Sequence, residues 1–431
     1  MKETFKELRY FLILWLTQSF SALGSSMTNF ALVLWLYGES GSALTTALLS
    51  VCSYAPYVLM SIFAGALSDR WDKRRTMLVC DSLAAVCTLI VAALMLSGRL
   101  EVWHLYILNA VNGLMNTVQQ PASDVAITLL TPPRHFQRVS GLRSFSNSLV
   151  TILTPVLATA VMSFFGIFAV FAVDMITFLA AFLSLLLFIR IPDIKGNSDG
   201  KESTLSAVKS GLKYLKTNLG ILWLILFLAA INLIASMYDA MLPALILPRE
   251  NGGENALGWV NTFVGIATLA GSIIVTLMPA PKSRIRMICN TLLFSMGTEN
   301  FLLAFGRSPF IWCVGAVLGW ISIPIMNGCL EVIFRTKIPT EMQGRVYSAR
   351  NTFQFFTIPI GFFLGGFLVD NVFEPLMSGL PADSLPVILF GSGKGAGAAA
   401  LSFVLGIAGV AVCLVFRGNR HIWKLEDNQE M

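Results

Sequence analysis

The chain has 431 residues, of which 55% are hydrophobic and only 13% charged, with a mean hydropathy of +0.73 and a formal net charge of +6. Soluble domains carry about 25% charged residues, so this chain has too little polar surface to cover a water-facing fold. An ordinary soluble enzyme, a disordered chain and a disulfide-stapled secreted scaffold are excluded, which leaves a polytopic helical membrane protein.

The opening MKETFKELRY, followed by a long apolar run without a small-residue cleavage site, reads as a retained cytoplasmic lead-in to the first span. Twelve mostly apolar runs are long enough to cross a bilayer as helices: 9–37, 43–67, 77–97, 103–130, 139–163, 166–190, 219–247, 257–280, 286–306, 309–334, 346–371 and 397–417. None alternates as a barrel strand would. The expected fold is therefore an all-α membrane protein with twelve transmembrane helices. The longest connection, 191–218, starts with the polar DIKGNSDGKES. It continues as LSAVKSGLKYLK, which puts Leu205, Val208, Leu212 and Leu215 at helical spacing among lysines, the pattern of an amphipathic helix on the inner leaflet. It separates an expected N-terminal six-helix bundle, 1–190, from a C-terminal six-helix bundle and tail, 219–431. Internal duplication of this kind is a common transporter plan.

Assigning the connections alternately to the two sides leaves only Arg99, Arg249, Arg307 and Lys394 on one of them; the other holds the remaining 26 of the 30 Lys and Arg. Basic loops stay inside, so both termini are expected in the cytoplasm of a cell-membrane protein. The positive charge thus reports orientation, and no nucleic-acid partner is expected. The seven cysteines are scattered as packing residues and the three histidines lie apart, so neither metal nor cofactor is expected. GSGKGAG (391–397) lacks the first glycine and the Ser/Thr of a phosphate loop and reads as an external loop.

After the second run the chain reads GALSDRWDKRR. Gly65 permits close helix contact, and Asp69 ends a helix in a tight loop crowded with Arg70, Lys73, Arg74 and Arg75. This resembles the loop signature of the major facilitator superfamily, G-x-L-x-D-R-x-G-R/K-R/K, matched at Gly65, Leu67, Asp69, Arg70, Lys73 and Arg74, with Asp72 in place of a glycine. LTQSFSALGSSMTNFALVLWLYGESGSA, PASD, FAVDMITFLAAFLSLLLFIRIP and IPTEMQGRVYSARNTFQFFTIPIGFFLGGFLVD are similar to its drug-exporter branch, which contains macrolide efflux proteins. The resemblance spans nearly the whole chain. It implies two pseudo-symmetric six-helix bundles and a monomer without enzyme activity, exporting small amphipathic molecules against protons. It also implies a cytoplasmic gate built from the loop motif with Gly344 and Arg345. Relatives that export siderophores or move lysophospholipids give the alternative; a membrane receptor that does not transport is the alternative of a different class. The chain departs from the pattern at Ala110, where many proton-coupled members carry Arg. It departs again at Thr154, Pro155 and Ala158, where a Gly-Pro motif is expected.

Polar residues recur at helical spacing within several runs. Gln18, Ser25 and Asn29 lie in the first, Asn109, Asn112, Asn116 and Gln119 in the fourth, Asn232 and Ser236 in the seventh, and Asn327 in the tenth. Lipid-facing polar groups are costly, so these faces are expected to line a substrate cavity, or else to join helices. Acids at membrane depth are functional candidates. Asp239 and Glu331, followed by Asp174, are the expected proton carriers. Asp81 and Asp124 are expected to pair with Arg70, Arg75 or Arg138, and Asp370 to be solvated.

Overall fold

The computed structural model describes residues 2–70, 72–132, 135–191, 213–339, 346, 350 and 353–426; for 2–6, 61–70, 136–138 and 140 it describes the backbone alone. Among these residues all regular structure is helical. The first six long helices are α1 (Lys2–Ser40), α2 (Ala43–Arg70), α3 (Lys73–Leu96), α4 (Val102–Leu130), α5 (Phe136–Phe165) and α6 (Ile167–Leu187). Then come α7 (Leu219–Ile246), α8 (Glu254–Leu277), α9 (Arg284–Phe305), α10 (Pro309–Trp320) and α11 (Ile323–Lys337). The last stretch holds α12 (Thr357–Leu368), a π-helical turn (Val369–Phe373), α13 (Glu374–Ser378), α14 (Leu385–Phe390), α15 (Ala396–Arg417) and α16 (Arg420–Trp423).

Ten helical segments among the described residues are long and apolar enough to cross a membrane. α4 and α9 have the length, 29 and 22 residues, but their amide and charged side chains lower their hydropathy. With these two, each of the twelve expected spans has a helical counterpart. Two spans differ from a single straight helix. The tenth breaks at Ile321–Ser322, because Pro324 has no N–H to carry the ladder across; Ser322 Oγ donates instead to the Thr291 carbonyl at 3.2 Å. The eleventh runs past its expected end at 371, through the π turn and into α13, where Pro375 sits in the first turn.

Helix ends follow local chemistry. Asp72, the residue in place of the motif's glycine, is the N-cap of α3 and accepts the Arg75 N–H at 2.6 Å. Gly166 alone joins α5 to α6 with a φ of 79°, a left-handed conformation that favours glycine. The expected amphipathic helix falls mostly on 192–212, outside the described residues. Its last turn is helical, with Leu215 buried and Tyr214 Oη donating to the Lys337 carbonyl at 3.2 Å.

Helix packing sorts the chain into two compact units, Met1–Leu36 with Cys52–Lys201 and Tyr37–Val51 with Glu202–Met431. In the first, α3 packs on α4 and α6, and α5 on α6. Leu14, Met77, Ala122, Ala126, Leu185 and Ile189 form one buried cluster there; Met27, Ala31, Ala158 and Val170 form another. In the second unit, α9 packs on α15, α10 and α11, and α7 on α12 and α15. Lipid tails are as apolar as leucine, so contacts of this kind depend on close packing and hydrogen bonds more than on hydrophobic burial. Gly361 and Gly365 show how: a Cβ on either would come within 2.6 Å of the Leu233 or Met237 carbonyl oxygen, so α12 lies against α7 backbone to backbone.

The loops of the second unit converge on Arg249, just past α7. Its guanidinium donates to the carbonyls of Phe390 (2.9 Å), Gly306 (3.0 Å) and Gly395 (3.3 Å). Burial, then the nearby Arg307, lower its pKa from the ordinary value, against the opposing pull of Glu374.

Candidate functional site

In the first unit the polar stripe of α1 converges on two buried carboxylates. Asp174 on α6 is only 3% exposed. It accepts hydroxyl hydrogens from Ser25 (2.9 Å), Thr28 (3.0 Å) and Thr88 (3.2 Å), tying α6 to α1 and α3. Asp81 on α3 accepts from the amides of Gln18 (3.1 Å) and Gln119 (2.5 Å), which joins α3 to α1 and α4. Among the described residues its partners are amides, because two helices present glutamine at its depth; of the expected arginines, the side chains of Arg70 and Arg138 lie outside the described set. Asp124 pairs with Arg143 at 2.5 Å, again a different arginine from those expected, supplied by the neighbouring α5. Asn112 Oδ1 is buried without a partner among the described residues, Asn109 is half-buried, and Asn29 and Asn116 are exposed.

The loop motif is described in part. Gly65, Asp69 and Arg70 lie at the end of α2, where side chains are outside the described set, and Gly344 and Arg345 lie outside the described residues altogether. Lys73 opens α3. Arg74 donates from Nε to the Leu185 carbonyl at 3.1 Å and from its terminal nitrogen to that of Leu186, holding the C-terminal end of α6.

In the second unit a cavity of about 190 Å³ is lined by side chains of α7, α9, α10 and α11 and by Gln354. Two sequence-selected residues, Asn232 and Asn327, line it. Asn232 donates its amide to the Gln354 carbonyl at 3.1 Å. Ser236 is buried, donates to the Asn232 carbonyl at 2.7 Å and packs beneath Gly361. Asp239 is exposed on α7, while Glu331 is half-buried and accepts from Arg335 one turn on at 2.9 Å.

The acid that lines this cavity is Glu299 of α9, 5% exposed. Its Oε1 accepts the indole N–H of Trp320 at 2.9 Å. Its Oε2 lies over Gly319, where a Cβ would sit 2.2 Å from it. The buried Tyr238 hydroxyl faces it from α7. The sequence alone does not select Glu299. The available signal was an acid beside Asn300 in an otherwise apolar run, with a Gly-Trp pair one span later.

Asp370, expected to be solvated, instead caps α2. It accepts from Ser42 Oγ (2.6 Å) and from the amides of Leu44 (2.8 Å) and Ala43 (3.0 Å), because four free N–H groups at a helix start attract a carboxylate. Glu374 does the same for the start of α15 through Gly395 N (2.9 Å) and Ala398 N (3.3 Å).

Comparison with known proteins agrees with this helical architecture. The macrolide efflux protein A of Streptococcus pyogenes is 23% identical over 367 residues, covering 84% of this chain and 90% of that one. The multidrug efflux pump Tap of Mycolicibacterium fortuitum is 24% identical over 387 residues, covering 85% and 90%. Among solved structures, the nucleoside transporter NupG superposes with a TM-score of 0.71 at 11% identity, covering 94% of this chain and 98% of that one; it shares the fold. The family model of the Major Facilitator Superfamily matches residues 14–362. A match over that much of an all-helical membrane chain places it plainly: this protein belongs to the major facilitator superfamily.

Proposed function

We propose that this transporter is a secondary active exporter of amphipathic, macrolide-like small molecules, working by alternating access and driven by protons. The observation that carries the reading is the similarity to a macrolide efflux protein and a multidrug efflux pump along most of the chain. In this reading both termini are cytoplasmic, the protein works as a monomer in the cell membrane, and its polar partners are protons and the substrate. The motif residues Gly65, Asp69, Arg70, Lys73 and Arg74 act in a cytoplasmic gate with Gly344 and Arg345. The asparagines Asn29, Asn109, Asn112 and Asn116, together with Asn232 and Asn327, contact substrate during the cycle.

Of the acids expected to carry protons, Asp239 fits the role best. It is exposed, whereas Asp174 is held by three hydroxyls and Glu331 by Arg335. The test is a compound-susceptibility panel in an efflux-deficient host, with and without a protonophore. Expression should raise tolerance to macrolides and other amphiphiles. The protonophore should abolish the gain, as should Asp239→Asn. Unchanged susceptibility across the panel would reject export, and a gain that survives the protonophore would reject proton drive.

A further inference from the structure

Glu299 poses a specific electrostatic problem. A buried carboxylate is expensive to ionise unless a positive group faces it. Among the described residues it forms no ion pair; the Trp320 indole donates to it at 2.9 Å and the Tyr238 hydroxyl faces it. Beside it the cavity presents Asn300 Oδ1, on a side chain 2% exposed and with no partner among the described residues. The walls also include the rings of Trp320 and Tyr238. A carboxylate, an open amide oxygen and aromatic faces are groups that recognise an organic cation.

We infer that this cavity receives the positively charged amine end of an amphipathic substrate, with Glu299 as its counter-charge and the rings of Trp320 and Tyr238 as its walls. The inference rests on the export reading for its claim that the ligand is a substrate. The volume suits a head group: about 190 Å³ is below the ~300–1,000 Å³ of drug-sized pockets, so the remainder of a larger molecule would lie outside it. A proton alone could neutralise Glu299 but would need neither the space, nor the open amide oxygen, nor the rings. Gly319 supports the arrangement, because any side chain there would displace the carboxylate.

The probe is radiolabelled phenyltrimethylammonium, bound to the full chain in nanodiscs. Its neutral isostere, with carbon replacing the charged nitrogen, serves as competitor, corrected for uptake by empty nanodiscs. Wild type should bind the cation saturably and prefer it to the isostere by at least about tenfold. Glu299→Gln, which keeps shape, should weaken cation binding by about thirtyfold or more and leave the isostere unchanged; Glu299→Asp should retain part of the preference. Equal wild-type affinity for cation and isostere would overturn the inference, and that comparison stands even if Glu299→Gln fails to fold. In vesicles, Glu299→Gln should lose export of cationic amphiphiles and keep that of neutral ones. Loss of both with cation binding intact would overturn the inference and assign Glu299 to proton movement. Should wild type bind the cation through Glu299 yet export no amphiphile, the cation site stands and the export reading fails.

Discussion

At the scale of single residues, buried acids divide by what surrounds them. Asp174 and Asp81 are enclosed by hydroxyl and amide donors from neighbouring helices and act as polar joints. Glu299 faces a cavity with the open Asn300 Oδ1 beside it. All three were visible in the sequence as acids in apolar runs; what surrounds each was not, because partners such as Ser25 and Asp174 lie 149 positions apart. Gly319 offers a test at this scale. Its added Cβ would meet Glu299 Oε2 at 2.2 Å and Glu299 Cβ at 2.7 Å, so a shift of the carboxylate alone does not make room. Gly319→Ala should destabilise the protein by about 1–3 kcal/mol through overpacking, seen as a lower midpoint in thermal unfolding in detergent. An unchanged midpoint would show that α9 and α10 separate freely.

At the scale of elements, helix termini explain acids that hydropathy alone leaves unassigned. Asp370 and Glu374 lie five positions or fewer from each other in chain order, yet hold the starts of two different helices, α2 and α15. Asp370→Ala should remove the cap of α2 and cost about 0.5–2 kcal/mol. Hydrogen exchange should rise at the amides of Ala43 and Leu44, and unaltered protection there would mean that water or Ser42 replaces the cap. The broken tenth span was legible in outline, since Pro324 is in the sequence. Where the chain resumes as a helix was not, since the Ser322 contact to Thr291 comes from another element.

At the scale of the whole molecule, the distribution of charge predicts topology. Cysteines introduced by Asn197→Cys and Ser392→Cys should label from opposite sides of the membrane, Ser392→Cys in intact cells and Asn197→Cys only after permeabilisation. Labelling of both from one side would reject the assignment of termini. The native cysteines are buried except for the half-buried Cys52, so replacing that one gives a suitable background.

The membrane class, the positions of the helical runs, the expected sidedness and the loop motif behind the family resemblance are legible in the chain alone. These follow from averages over about 20 residues or from short contiguous patterns, which need no partner to be read. Which polar groups meet emerges only on folding: Asp81 with two glutamines, Asp124 with Arg143, Asp370 with a helix start, and Glu299 with Trp320 above Gly319. The reason is rotational. Hydropathy places a residue along a helix, but the packing of small and large side chains sets which way that helix turns, and so which neighbour each acid faces.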